Sequence, residues 1–227
     1  MEIKFHGQSC FELSDGGKTV LTDPFLKPNN PVAVATAEEV AADVVAVSHG
    51  HADHVADAVA VTQRTGAELV AIVELADWFA GQGVASVKDP NFGGTVSYDW
   101  GSIKYVPAWH TNTAPDGTVI GPPAGMVIRI GDTTVYHAGD TCLFSDMMLI
   151  AECHQPDVFL VPIGGHYTMD RHDAVRACKL VGAATVIPMH YNTFPPIETD
   201  AEAFKADVES QTASKVVVLQ PGQSHTV

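Results

Sequence analysis

The sequence has few basic residues, and this shortage limits the partners that it can bind. Its 227 residues include only 12 Lys and Arg against 27 Asp and Glu, giving a formal net charge of −15. The cations are scattered singly and form no cluster. Because nucleic acids and anionic membrane surfaces are bound largely through clustered Lys and Arg, both kinds of partner are disfavoured.

Long apolar runs and paired cysteines are also missing. No apolar stretch approaches the roughly 20 residues that cross a bilayer, and MEIKFHGQSCFEL at the start lacks the basic and apolar regions of a signal peptide. The four cysteines form no CxxC pair. These absences predict a reduced, cytoplasmic protein with free thiols. Hydrophobic residues make up 46% of the chain, enough for the core of a single domain over residues 1–227.

The chain does contain many short apolar segments of strand length. Hairpin turns are predicted at SDGGK, at Asp99–Gly101 and at Gly131–Asp132. Helices are predicted over 53–65 and 169–182, and capping-box pairs predict further helices starting near Thr36 and Thr199. Strands first and helices between the later strands predict an α+β (α/β layered) sandwich in which helices cover the sheets.

Potential metal ligands follow four of the predicted strands. DVVAVS is followed by His49, SIKYVPAW by His110, TTVYHAG by Asp140 and ATVIPM by His190. If these strand ends share one edge of the sheets, their side chains converge in a cleft, where layered α/β proteins commonly bind ligands. A lone histidine in such a position is more often structural, so the prediction of metal binding depends on the whole set.

The segment HGHADH at 49–54 strengthens that prediction. His49 and His51 lie two apart in extended chain and face the same way, whereas Asp53 and His54 diverge at the start of a helix. One short segment can therefore place ligand atoms at two positions a few ångströms apart, which suits a hydrolytic metal pair separated by about 3.5–4 Å. Four such polar residues would also be costly to bury without partners.

Together these motifs resemble the metallo-β-lactamase superfamily, whose signature is HxHxDH followed by a distal His, an Asp and a His. HGHADH, PAWHT, PMHY and HAGDT supply all of its elements. FHGQSCF, TDPF, YHAGDT and PIGGHYTM further resemble the UPF0173-like metal-dependent hydrolases related to ascorbate-6-phosphate lactonase. The resemblance implies a four-layer αββα sandwich, the metallo-β-lactamase fold, and it suggests a homo-oligomer.

The resemblance also implies a ligand set for two divalent ions per chain, from Zn²⁺, Mn²⁺, Ni²⁺ or Fe²⁺. The first site is assigned His49, His51 and His110, and the second Asp53, His54 and His190, with Asp140 bridging. The hypothesised function is hydrolysis of a small-molecule ester, lactone or phosphoester by a metal-activated hydroxide that Asp53 helps to hold. The alternatives are a phosphodiesterase or nuclease of the same fold and a non-catalytic metal-binding or sensing protein.

Five further residues are candidates for orienting a ligand or contacting the substrate, and four of them have two interpretations each. Asp23 either orients a metal-bound histidine or caps the turn before Pro24. His6 either reaches the cleft or is structural, and His137 within its strand is interpreted as internal support. His166, at a fifth strand end, is either a general acid or substrate donor or a structural residue. Arg171 either contacts a substrate phosphate or forms a helix ion pair.

Substrate contacts are harder to assign from the sequence. Phe25, Trp109 and Tyr191 flank motif residues and either line an apolar pocket or belong to the core. The loops at 24–35, 89–95 and 111–124 are expected to select the substrate, although they carry no recognition motif.

Overall fold

The computed structural model describes all of residues 1–227, and its framework is a pair of mixed β-sheets. In chain order the strands are β1 (Glu2–Gly7), β2 (Cys10–Asp15), β3 (Lys18–Thr22), β4 (Val44–Ala46), β5 (Glu68–Val70), β6 (Val87–Lys88), β7 (Thr95–Tyr98), β8 (Gly101–Pro107), β9 (Ala124–Ile130), β10 (Thr133–His137), β11 (Val158–Pro162), β12 (Thr185–Met189), β13 (Lys215–Val216) and β14 (Ser224–Thr226). The first sheet has the order β14-β1-β2-β3-β4-β5-β6, and the second has the order β13-β12-β11-β10-β9-β8-β7. Both predicted hairpins of the second sheet, β7–β8 and β9–β10, are confirmed.

Six α-helices connect and cover the strands. They are α1 (Ala52–Val55), α2 (Ala58–Thr65), α3 (Val73–Gly81), α4 (Met147–His154), α5 (Arg171–Val181) and α6 (Ala201–Gln211), and a 3₁₀ turn occupies Pro195–Ile197. Helix α5 forms as predicted, with Asp170 accepting hydrogen bonds from two backbone N–H groups at its start and Gly182 left-handed at its end. None of the helices has the length and apolar character that a membrane span needs.

Strand β11 shows why four layers form. Its buried residues alternate, so that Val158 and Leu160 belong to the larger apolar cluster, which contains residues of both sheets. Phe159 and Val161 belong to a second cluster together with residues of α4, α5 and α6. The second sheet therefore packs against the first sheet on one face and against helices on the other. With α2 and α3 on β5 and β6, this arrangement confirms the predicted αββα sandwich.

The helix predicted near Thr36 does not form. Thr36 and Glu39 do interact, since the Thr36 backbone N–H donates to Oε2 of Glu39 over 2.8 Å. The segment is nevertheless a turn, because the chain is tied down on both sides of it. Thr36 bridges Lys27, and the backbone N–H of Asp43 donates to Thr19 O as the chain enters β4. Too few residues remain between these points for a helix.

Two other helix predictions need correction at their boundaries. The helix predicted over 53–65 is broken into α1 and α2, because the backbone N–H of Asp57 donates to Pro24 O and its carboxylate accepts from Leu26 N. The start of α6 is capped by Asp200, which accepts from Ala203 N over 2.9 Å, and not by Thr199. In both places a hydrogen bond made by another residue replaces the one that the sequence pattern indicates. Asp57 bonds to the segment after β3, and Asp200 caps α6 in place of Thr199.

Tyr105 links the two sheets directly behind the metal-ligand edge. Its buried hydroxyl lies 3.1 Å from Val47 O and 2.6 Å from Val70 O, so a strand of the second sheet holds the ends of β4 and β5. We expect Tyr105→Phe to lower the free energy of unfolding by about 1–2 kcal/mol, because a buried hydrogen bond is lost. Chemical denaturation measures the change, with Tyr167→Phe at an exposed hydroxyl as the control. Equal stability of Tyr105→Phe and wild type would contradict this role.

Candidate metal centre

The seven residues assigned as metal ligands meet at one edge of the sandwich. His49 follows β4, His110 follows β8, Asp140 follows β10 and His190 follows β12. The remaining three lie on the turn and first residues of α1. The strand ends carry their polar side chains to one edge because β10, β11 and β12 run parallel, while the paired sheet brings β4 to the same side.

One ligand group consists of three imidazoles. Nε2 of His49 lies 3.1 Å from Nδ1 of His51, and Nδ1 of His51 lies 3.3 Å from Nε2 of His110. His49 is fully buried, whereas the other two are partly exposed at the cavity wall. Three nitrogens that face one another this closely suit a single borderline cation such as Zn²⁺.

A second group combines a carboxylate with two imidazoles. Oδ2 of Asp53 lies 3.5 Å from Nε2 of His54 and 3.4 Å from Nε2 of His190. The three ligand atoms are within 4.8 Å of one another. This set matches the second group expected from the family resemblance.

Asp140 stands between the two groups. Its Oδ2 lies 3.8 Å from Nε2 of His49 and 3.6 Å from Nε2 of His110, which belong to the first group. The same oxygen lies 3.4 Å from Nε2 of His54 and 3.0 Å from Nε2 of His190, which belong to the second. One carboxylate oxygen thus reaches imidazoles of both groups.

The donor atoms fit divalent cations. Nε2 of His54 and Oδ1 of Asp140 are buried and have no hydrogen-bond partner in the protein. Buried polar atoms without partners are costly, and several imidazole nitrogens here are directed at one another and not at hydrogen-bond acceptors. Cations bound among them would satisfy these atoms, and the nitrogen and carboxylate donors are those that Zn²⁺, Mn²⁺, Ni²⁺ and Fe²⁺ accept.

Asp23 sets the proton positions of two of these histidines. It is fully buried, and its Oδ2 lies 2.8 Å from Nδ1 of His54 and 2.7 Å from Ser48 Oγ, which donates to it. Because the Ser48 hydroxyl donates to Asp23, it accepts from Nδ1 of His49 over 3.0 Å. These contacts place a proton on Nδ1 of both imidazoles, which leaves Nε2 as the ring nitrogen available to a metal ion. Such carboxylate–histidine contacts orient metal ligands and raise their basicity.

Two glycines beside the candidate ligands, Gly50 and Gly139, lie where an added Cβ would press on neighbouring atoms. Gly50, between the first two histidines, donates its N–H to Oδ1 of Asn112, whose side-chain amide holds Ile120 O. A Cβ at Gly50 would come within 2.0 Å of Cδ1 of Ile120, so a larger residue there would require the Ile120 side chain to shift. Gly139 before Asp140 is left-handed and would press a Cβ on Ala124 O at 2.4 Å.

Gln8 is a site residue that the sequence reasoning missed. Its Nε2 donates to Oδ2 of Asp53 over 2.7 Å, and its backbone oxygen accepts from the N–H of His190. Gln8 is almost fully buried and has a positive φ of 56°. The sequence signal for Gln8 was the short FHGQSC segment between β1 and β2, where a glycine precedes a polar residue in the turn.

Three candidate residues outside the ligand set have structural contacts. His137 is buried in β10, where its Nδ1 accepts from Gly139 N and its Nε2 donates to Ser9 O, so its interpretation as internal support agrees with these contacts. Nε2 of His6 lies 3.5 Å from Oε2 of Glu12, away from the cavity. Arg171 forms an ion pair with Asp207 on α6.

Neither His166, the candidate general acid, nor Arg171, the candidate phosphate contact, lines the cavity. His166 is exposed and does not line it, although its ring packs edge-on against Tyr167, which does. The reason is that a left-handed Gly165–His166 pair turns the His166 side chain outward. Arg171 is not in the wall, and its pairing follows the ion-pair interpretation. Trp109 is 65% exposed and also lies outside the wall, whereas Phe25 forms part of it.

The ligand edge forms the floor of an open cavity of about 670 Å³, a size typical of small-molecule sites. The lining residues are Gln8, Phe25, His51, Ala52, Asp53, His110, Thr111, Asp140, Tyr167, His190 and Phe194. Tyr167 and Phe194 were not identified from the sequence. Both lie on loops that follow strands of the second sheet, and their approach to the site depends on loop conformation.

The clustered carboxylates shift the pKa values of the metal-free site. Burial lowers the pKa of the His190 imidazole, but Asp140 beside it outweighs burial and raises that pKa to about 9. The pKa of His54 is raised for the same reason, against burial, by Asp140, Asp53 and Asp23. Conversely, burial and neighbouring His54 hold the pKa of His49 well below its usual range. Without metal, therefore, His54 and His190 carry protons at neutral pH.

The thermal stability gained on metal binding is expected to increase with pH. In metal-free protein, the His190 pKa of about 9 exceeds the ordinary value of 6.5, so its stabilising contribution is complete below pH 6.5 and is lost as pH rises through 9. Metal binding displaces this proton and becomes easier over the same interval. Unfolding temperatures of metal-loaded and chelator-treated protein should therefore diverge from pH 6.5 to 9. His172→Gln on α5 is the control, and a constant difference would contradict the assignment.

Comparison with known proteins agrees with this fold and ligand pattern. The profile of the Beta-lactamase superfamily domain matches residues 2–190. A UPF0173 metal-dependent hydrolase of Methanopyrus kandleri is 46% identical over 229 residues, with 99% of both chains covered. Another, from Pelotomaculum thermopropionicum, is 46% identical over 230 residues, also with 99% of both chains covered.

Among solved structures, that of Igni18, described as a novel metallo hydrolase from the archaeon Ignicoccus hospitalis, has a TM-score of 0.89 at 38% identity. The similarity covers 99% of this chain and 97% of that one. It confirms the predicted metallo-β-lactamase fold for the whole sandwich. The chain belongs to the β-lactamase superfamily and, within it, to the UPF0173 metal-dependent hydrolases.

Proposed function

We propose that the protein is a hydrolase that uses two divalent cations to cleave a small-molecule ester, lactone or phosphoester. The observation that carries the proposal is the position of Asp140, whose Oδ2 lies within 3.8 Å of four imidazole nitrogens from two ligand groups. A carboxylate so placed suits a bridge between paired cations. In this proposal His49, His51 and His110 hold one cation, Asp53, His54 and His190 the other, and Asp140 both.

Bound cations of this kind supply a water of lowered pKa and stabilise the negative charge that develops on the substrate oxygen. The protein's own contribution is orientation. Asp53 lines the cavity, and neighbouring His54 and His190 outweigh burial and hold its pKa below the usual range, so it is a carboxylate at neutral pH. Asp53 would orient the nucleophilic water by accepting a hydrogen bond, and Gln8 fixes Oδ2 of Asp53 by donating to it over 2.7 Å.

The proposed general acid is not His166, which lies outside the cavity. In this proposal Asp53 orients the water, and the leaving group of an ester or lactone would take its proton from solvent entering the open cavity. A nuclease is not favoured, because no Lys or Arg lines the cavity and the chain carries a net charge of −15. The cytoplasmic location and the homo-oligomer stay predictions of the sequence.

Metal analysis combined with a substrate screen tests this proposal. Protein purified without added metal is expected to contain about two divalent ions per chain, and its ester, lactone and phosphodiester turnover is expected to disappear with a chelator and return on reloading. The same analysis identifies the metal. A fully loaded protein that turns over no member of the panel would overturn the hydrolase proposal and favour a binding or sensing role. Degradation of RNA or DNA at low salt, with no turnover of small substrates, would favour the nuclease.

A further inference from the structure

The cavity has two chemically different walls. The ligand residues form its floor, and three aromatic side chains, Phe25, Phe194 and Tyr167, face it from the surrounding loops. The Phe25 and Phe194 rings pack on each other with centroids 6.2 Å apart at a tilt of 41°. Phe25 is buried after β3 and Phe194 precedes the 3₁₀ turn, so two separate loops build one apolar surface.

No cationic side chain accompanies this apolar surface. Lys and Arg are absent from the cavity lining, and Arg171, the cation closest in sequence to the Tyr167 loop, is held by Asp207. The floor instead contains the carboxylates of Asp53 and Asp140. An anionic group on a substrate, other than the group held at the cations, would therefore lose its hydration without gaining an ion pair.

We infer that the substrate is an uncharged ester or lactone with an apolar, ring-sized substituent that packs against Phe25 and Phe194. The inference rests on the proposed hydrolase function and narrows its substrate class to exclude phosphorylated metabolites. A volume of about 670 Å³ accommodates the reacting group at the floor and one ring with a short chain above it. Aromatic rings favour offset or edge-on partners at 4.5–7 Å between centroids, an arrangement that the Phe25–Phe194 pair leaves open on its cavity side.

Binding of hydroxamates to the metal-loaded protein tests this inference without any turnover. Acetohydroxamate, benzohydroxamate and 4-carboxybenzohydroxamate share one metal-binding group and differ only in the part that enters the cavity. By calorimetry we expect benzohydroxamate to bind about tenfold more tightly than acetohydroxamate, and the carboxylated probe to lose about tenfold again. Chelator-treated protein should bind none of the three.

Variants of the aromatic residues test whether the tighter binding of benzohydroxamate depends on contact with Phe25 and Phe194. Phe194→Ala is expected to bring benzohydroxamate to within about threefold of acetohydroxamate while leaving acetohydroxamate binding unchanged, because only the ring contact is removed. Phe194 is half-buried, so this variant should fold, and Phe25→Leu provides a milder second test. Phe92→Ala is the control, since Phe92 is a partly exposed aromatic outside the cavity.

The outcomes separate this inference from the hydrolase proposal. Equal binding of benzohydroxamate and acetohydroxamate, or no binding of benzohydroxamate, would overturn the inference. Tighter binding of the carboxylated probe would overturn it too, even if esters are hydrolysed. Conversely, the expected ranking with no turnover of any neutral ester or lactone would support the aromatic subsite and reject the hydrolase function.

Discussion

Asp140→Asn is expected to reduce hydrolytic activity by about 10³-fold and to reduce the bound metal to one ion per chain or fewer. The carboxylate oxygen of Asp140 lies 3.0 Å from Nε2 of His190 and 3.6 Å from Nε2 of His110, which belong to different ligand groups. An amide keeps the size of the side chain but removes the negative charge that would offset two neighbouring cations. Metal content by elemental analysis and the turnover number measure the two effects.

The matched control for this substitution is Asp132→Asn, which makes the same chemical change at an exposed residue of the β9–β10 turn. It is expected to retain wild-type metal content and activity. Two bound ions and full activity in Asp140→Asn would contradict the bridging assignment. Loss of activity with both ions retained would restrict Asp140 to orienting the substrate or water.

Asp23→Asn is expected to weaken metal binding by about 10–100-fold without removing any ligand. Asp23 is a positioning residue, because it touches Ser48 and His54 but does not line the cavity. An amide nitrogen in place of Oδ2 would direct a donor at Nδ1 of His54. The imidazole would then carry its proton on Nε2, the atom that faces the metal centre. Titration with Co²⁺, followed by its visible absorption, measures the affinity and the ligand field together.

The variant Ser48→Ala separates the contribution of His49 to metal affinity from that of His54. It removes the hydroxyl that accepts from Nδ1 of His49 but leaves the contact of Asp23 with His54 intact. A smaller loss of affinity than in Asp23→Asn is therefore expected. If Asp23→Asn unfolds at lower temperature but titrates with Co²⁺ as wild type does, its role is structural and the tautomer assignment is wrong.

The candidate metal centre was largely predictable because the residues assigned as ligands follow strand ends. A buried strand needs apolar residues along its length, so a histidine or aspartate directly after the run is conspicuous in the sequence. His49, His110, Asp140 and His190 were all found in this way, and the structure brings them together. Alternation and turn residues likewise sufficed to predict the hairpins and the layered class of the fold.

One failed prediction has its cause in competition from distant partners. The helix near Thr36 was predicted from a local pair, but backbone bonds to Lys27 and Thr19 O leave no room for it. His166 also follows a strand, but it is exposed and does not line the cavity. For Arg171, which had two interpretations, the structure shows the ion pair, formed with an aspartate on α6.

Local order in the chain was enough to determine the strands, the layered class and the candidate metal ligands, because periodicity and strand ends are properties of neighbouring residues. Only the tertiary structure decided that Gln8 holds Asp53, that Asp23 controls two imidazoles, and that Phe194 faces the metal centre beside Phe25. These contacts join segments far apart in the chain. Their distances depend on how two sheets and their loops pack, and no short sequence pattern records that packing.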